Sequence, residues 1–142
     1  MPLEVSGTVY RADGHTPASG VLLYAYQTDA RGVFPRRGAE TGEHGALRGW
    51  ARTDQSGRYR FLTIRPAPER GTGEPARIQM TVRPDGQRET LIDPVEFADD
   101  SLLTPAVRAR RRGAGGPGIV RPVADSRGVL HAVRDIVLER IP

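Results

Sequence analysis

The sequence predicts an all-β fold, a sandwich of short antiparallel strands, on three observations. Several segments alternate apolar and polar residues with period two. Turn-forming clusters separate them at short intervals. Glycine and proline are abundant, 17 and 12 of 142 residues, which favours turns and short strands over long helices. A chain of this length is expected to fold as one domain, residues 1–142, around one hydrophobic core.

Leu3, Val5, Gly7 and Val9 alternate with Glu4, Ser6, Thr8 and Tyr10, the pattern of a half-buried strand. Ala12–Pro17 is a turn. Gly20–Gln27 is a second strand, with Val21, Leu23 and Ala25 on one face and Leu22, Tyr24 and Tyr26 on the other. The polar stretch Thr28–Leu47 reads as a long loop, and loops of that length in compact domains are usually functional. Arg48–Thr53, with the only Trp, and Arg58–Ile64 are strands joined by the turn Asp54–Gly57. In Ala76–Arg83, Ile78, Met80 and Val82 face one way while Arg77, Gln79 and Thr81 face the other. A short helix is expected near 104–112, with Thr104 as N-cap and Pro105 in the first helical position. Val129–Glu139 reads as one long closing strand.

The absence of cysteine excludes disulfides, thiolate metal sites and a thiol nucleophile. No apolar run approaches a membrane span, and the first residues lack the basic and apolar regions of a leader. A cytoplasmic location with no membrane partner is therefore expected. All 21 basic residues are arginine, for a net charge of +4. The densest cluster, Arg108, Arg110, Arg111 and Arg112, has no interleaved aromatic residue and reads as a solvated face; no nucleic-acid partner is expected. His15, His44 and His131 lack any spacing suited to a shared metal, so no metal site is expected from them.

A collinear set of motifs spans nearly the whole chain from about Leu3. It comprises Gly7-Thr8-Val9-Tyr10, Thr16-Pro17-Ala18, Leu23-Tyr24-Ala25-Tyr26-Gln27-Thr28-Asp29, Arg48-Gly49-Trp50-Ala51-Arg52-Thr53-Asp54, Gly57-Arg58-Tyr59, Ile64-Arg65-Pro66-Ala67-Pro68, Gly115-Gly116-Pro117-Gly118-Ile119-Val120 and Arg134-Asp135-Ile136-Val137-Leu138. The ordered set resembles the short bacterial intradiol ring-cleavage dioxygenases, relatives of protocatechuate and catechol dioxygenases. The resemblance implies their β-sandwich and a ferric ion held by two tyrosines and two histidines. At the matching positions this chain has Phe34 and Glu69 for the tyrosines and Arg77 and Gln79 for the histidines. Arginine offers no lone pair and carries a fixed charge, and glutamine is a weak neutral ligand.

The resemblance further implies a pocket lined by Tyr24, Tyr26, Phe34, Trp50, Glu69, Arg77 and Gln79, with His44 nearby on the long loop. A metal-independent enzyme without cofactor is the leading expectation. It would be a cyclase or isomerase closing a ring in a polyketide-type natural-product intermediate, by a pericyclic or conjugate-addition step. Glu69 would act as general base, with Arg77 and Gln79 polarising a carbonyl. Tyr24, Tyr26, Phe34, His44 and Trp50 would bind a large apolar small molecule, under a lid formed by Thr28–Leu47. Two alternatives stay open: a non-catalytic small-molecule-binding pseudoenzyme, and a residual iron dioxygenase with different ligands. The arginine segment and an exposed edge strand each offer a contact for a homodimer.

Overall fold

The computed structural model describes residues 1–35 and 44–140, so the middle of the expected lid, 36–43, lies outside the described residues. The chain forms β1 (Pro2–Tyr10), β2 (Leu22–Gln27), β3 (Arg48–Arg52), β4 (Arg58–Ile64), β5 (Arg77–Arg83), β6 (Thr90–Phe97), α1 (Pro105–Ala109), β7 (Ile119–Val120), β8 (Val123–Ala124), β9 (Leu130–Val133) and β10 (Ile136–Val137). Two sheets make the sandwich. In the first, β1 pairs with β4 on one side and with β9 and then β10 on the other, and β8 follows β9. In the second the order is β3-β2-β5-β6-β7. The β1–β9, β1–β10 and β6–β7 pairs are parallel, so the sandwich is mixed rather than purely antiparallel.

Period-two alternation places the core between the sheets. Leu3, Val5 and Val9 meet Leu23, Ala25, Ile78, Met80, Val82, Val95 and Phe97 there. Gly7 occupies a core-facing register because nothing larger fits: a Cβ would lie 1.9 Å from the Arg134 carbonyl oxygen. Tyr59 fills the adjacent space and donates its hydroxyl to that same carbonyl at 2.6 Å. Burial pushes the Tyr59 phenol above its ordinary pKa range and keeps it a donor.

Two sequence expectations are corrected in detail, and one strand was not foreseen. The closing strand is broken at Arg134-Asp135. The Arg134 side chain turns into the core and donates to the Asp93 carbonyl at 2.5 Å and the Gly116 carbonyl at 3.2 Å. The Asp135 carboxylate then accepts the Thr8 amide at 2.9 Å, and pairing resumes at Val9–Ile136. The helix is shorter than 104–112, although Thr104 does cap it through the Val107 amide. The strand β6 had no sequence signal, because Asp93-Pro94 interrupts its alternation; the register there shifts against β5 between Ile78 and Met80. Among the described residues no helix is long and apolar enough to cross a membrane.

Candidate functional site

The outward face of the second sheet carries the candidate residues. Tyr24 and Tyr26 alternate with the buried Leu23 and Ala25 on β2, and Gln79 stands opposite Tyr26 on β5. Arg77 lies two residues earlier on the same face. Two connecting segments complete the site from above. Thr28 donates its hydroxyl to the Ala67 carbonyl at 2.7 Å, Ala67 donates its amide to the Asp29 carbonyl at 3.0 Å, and Arg70 donates its amide to the Gly32 carbonyl at 3.1 Å. The Asp29 carboxylate caps the Arg31 and Val33 amides, and these bonds hold its pKa below the usual carboxylate range. Gly32 has a left-handed φ of 78° and sits where a Cβ would be 2.1 Å from the Pro68 carbonyl oxygen. This zipper brings Phe34 and Glu69 to the same place.

The result is a cleft of about 170 Å³ in which Tyr26, Phe34, Glu69, Arg77 and Gln79 all take part. Positions far apart in sequence thus converge. Glu69 and Arg77 are both half-buried, yet no ion pair joins them among the described residues. The simple salt bridge that would plug an unused cavity is not what these side chains form. The remaining candidates lie one row away. The Tyr24 hydroxyl is 2.7 Å from His44 Nδ1, and the His44 ring stacks on Tyr26 at 3.9 Å between centroids. Trp50 packs on Tyr24 at 4.8 Å but is 59% exposed, on the edge strand β3.

Sequence reasoning missed a second, larger space. An apolar groove of about 420 Å³ opens between the sheets beside β3 and β4, with Val5, Phe61, Ile64, Leu47 and Met80 among its walls. Tyr26 and Gln27 border both groove and cleft, so the two adjoin around the end of β2. Gln27 is buried and ties the sheets together here. Its amide donates to the Ile64 carbonyl at 2.7 Å and accepts the Thr63 hydroxyl at 2.9 Å. The available signal was a polar residue in the buried register of β2, two residues after Ala25.

The donor set does not suit a ferric ion. Among the described residues the cleft offers one carboxylate, two amides, one hydroxyl and one phenol beside a permanent guanidinium cation. Among the described residues no three His, Cys, Asp or Glu side chains cluster closely enough to hold a metal.

No protein-family model matches the chain, and no curated protein does. Solved structures do. The dioxygenase domain of a dioxygenase carbohydrate-binding protein fusion from Streptomyces sp. SirexAA-E is 22% identical, with a TM-score of 0.70 over 99% of this chain and 80% of that one. Chlorocatechol 1,2-dioxygenase from Pseudomonas putida is 21% identical, with a TM-score of 0.73 over 98% of this chain. Catechol 1,2-dioxygenase from Acinetobacter sp. ADP1 is 26% identical, with a TM-score of 0.73 over 99% of this chain. The chain spans only 60% and 53% of the lengths of these last two. The motif resemblance and the three-dimensional likeness agree, and the chain has the intradiol ring-cleavage dioxygenase fold.

Proposed function

We propose that this chain is a metal-independent cyclase or isomerase on an intradiol dioxygenase-type scaffold, acting on an enolisable, largely apolar intermediate of polyketide type. One observation carries the reading: a carboxylate, Glu69, and a guanidinium, Arg77, neither of them in an ion pair among the described residues, face one small cleft that adjoins an apolar groove. A neutral ligand that becomes anionic by giving up a proton matches both groups. A permanent anion would be repelled by Glu69, and a cation by Arg77.

In this scheme the groove takes the apolar body and the cleft takes a 1,3-dicarbonyl head. The Glu69 carboxylate removes the proton between the two carbonyls. The C–H electron pair passes into an enolate, whose oxygen accepts hydrogen bonds from Arg77 and the Gln79 amide. The enolate carbon then adds to a conjugated alkene in the same molecule, forming the ring bond. The protonated Glu69 returns its proton to the new enolate carbon. The product is an isomer of the substrate, so no oxidant or reductant is consumed. The groove contributes by holding the chain folded near the reacting carbons. Phe34 and Tyr26 supply apolar walls that limit water at the head group.

Benzoylacetone, an aryl 1,3-diketone, tests the cleft directly. Its enolate absorption at fixed pH is expected to rise on binding, and Glu69→Gln and Arg77→Met are each expected to abolish the rise. Unchanged spectra in both variants would refute the assigned roles. A diketone with a tethered enone separates catalysis from sequestration: the ring-closed isomer is expected to accumulate at a rate proportional to protein. Binding without ring closure would assign a non-catalytic module.

A further inference from the structure

Four described arginines are withdrawn from full exposure: Arg65, Arg77, Arg111 and Arg134. Three of them have partners. Arg65 pairs with Asp99, Arg111 pairs with Glu96, and Arg134 donates to two backbone carbonyls. Among the described residues Arg77 alone in this group has no carboxylate or carbonyl partner. This is unexpected from its position in the sheet. Arg77 and Glu96 are direct partners in the antiparallel β5–β6 register. Side chains so placed share a face with Cβ atoms about 4.5–5.5 Å apart, and an Arg–Glu pair there ordinarily forms a salt bridge.

Arg111 holds the Glu96 carboxylate instead. It stands just beyond α1, and its Nε and Nη2 donate to Glu96 Oε1 and Oε2 at 2.6 and 2.5 Å. Both carboxylate oxygens are engaged in a two-pronged, charge-assisted grip. Glu96 is 1% exposed and lines a pocket beside Arg111 on that face, while Arg77 lines the cleft with Tyr26 and Gln79.

We infer that Arg111 is a positioning residue for the cleft: by holding Glu96 in a bidentate pair, it withdraws that carboxylate from Arg77 and keeps the Arg77 guanidinium free for the enolate oxygen of a ligand. The inference rests on the proposed role of Arg77. It assigns to one member of the arginine cluster at the end of α1, which in sequence reads as a solvated face, a specific part in ligand recognition. Arg111 touches no ligand in this arrangement. Its effect passes entirely through the choice Glu96 makes between two guanidinium partners.

The test reads benzoylacetone affinity and enolate absorption at fixed pH across a set of variants. Arg111→Met frees Glu96 to pair with Arg77, and affinity is expected to fall about tenfold, the scale of one charged hydrogen bond. Arg111→Lys keeps a cation on Glu96 but lacks the planar fork, so a smaller loss of about threefold is expected. Glu96→Gln removes the competing charge, and its affinity is expected to stay within about twofold of the parent. The double change Arg111→Met with Glu96→Gln is expected to restore binding. That rescue is the result a merely structural role would not give. If Arg111→Met does not fold, the Arg111→Lys series with and without Glu96→Gln carries the same test. Parent-like affinity in the folded Arg111 variants, or no rescue by Glu96→Gln, would overturn the inference. An Arg77→Met control that binds like the parent would instead overturn the proposed role of the cleft itself.

Discussion

Arg77→Met should cost this protein ligand binding without costing it stability. The guanidinium makes no hydrogen bond or ion pair among the described residues, so truncating it removes no favourable partner. Methionine keeps most of the stem, and losing a half-buried, unpaired charge relieves desolvation. The expected change in unfolding free energy lies between zero and about 1 kcal/mol of added stability. Arg111 provides the internal contrast. Its removal strands a carboxylate that is 1% exposed and breaks two charge-assisted hydrogen bonds. A loss of about 3–5 kcal/mol is the usual scale for such a stranding, less whatever Arg77 recovers by taking Glu96 over. Urea unfolding followed by far-ultraviolet circular dichroism reads both. With slopes of about 1–3 kcal/mol per molar urea, Arg111→Met should lower the midpoint by about 1–3 M while Arg77→Met leaves it in place or raises it. A midpoint for Arg77→Met as low as that for Arg111→Met would refute the reasoning, because it would make Arg77 a structural residue.

Other expectations follow from single contacts. Tyr59→Phe leaves the buried Arg134 carbonyl without its 2.6 Å donor and should cost about 1–2 kcal/mol in the same urea assay; no measurable loss would deny the clamp. Gly32→Ala places a Cβ at 2.1 Å from the Pro68 carbonyl oxygen at a left-handed φ, so it should part Phe34 from Glu69 and weaken benzoylacetone binding at least fivefold, roughly one lost hydrogen bond, while the circular dichroism of the sheets persists. His131 sits between Asp125 and Glu4, hydrogen bonds to which raise its pKa above 6.5, whereas His131 lowers Asp125 to about 2. The His131 contribution to stability is therefore complete below its unfolded-state value and fades as pH rises through the raised folded value; that of Asp125 fades as pH falls from 3.8 through about 2. An NMR titration of His131 should show the raised value and its decline in Asp125→Asn; titration at or below 6.5 in the parent would contradict the cluster.

Much of this was legible in the chain because period two is a local signal. The faces of β1, β2 and β5 follow from alternation alone, and the position of Arg77 and Gln79 on one face follows from two residues of spacing. The motif resemblance added Phe34 and Glu69, which no periodicity links to β5. The illegible parts are non-local. Nothing near Gln27 in sequence announces Thr63 and Ile64 as its partners, and nothing near Arg111 announces Glu96. The break at Arg134 depends on carbonyls of Asp93 and Gly116, which a reading of the closing strand by itself does not contain. In β6 the proline of Asp93-Pro94 erased a pattern that pairing with both β5 and β7 nevertheless enforces.

We propose that this cleft is furnished for an organic ligand rather than for a ferric ion. Elemental analysis and the visible spectrum of the protein purified from an iron-supplemented culture test it most directly. A colourless protein with far less than one iron per chain is the expected result. Stoichiometric iron with a burgundy tyrosinate-to-iron absorption would contradict it.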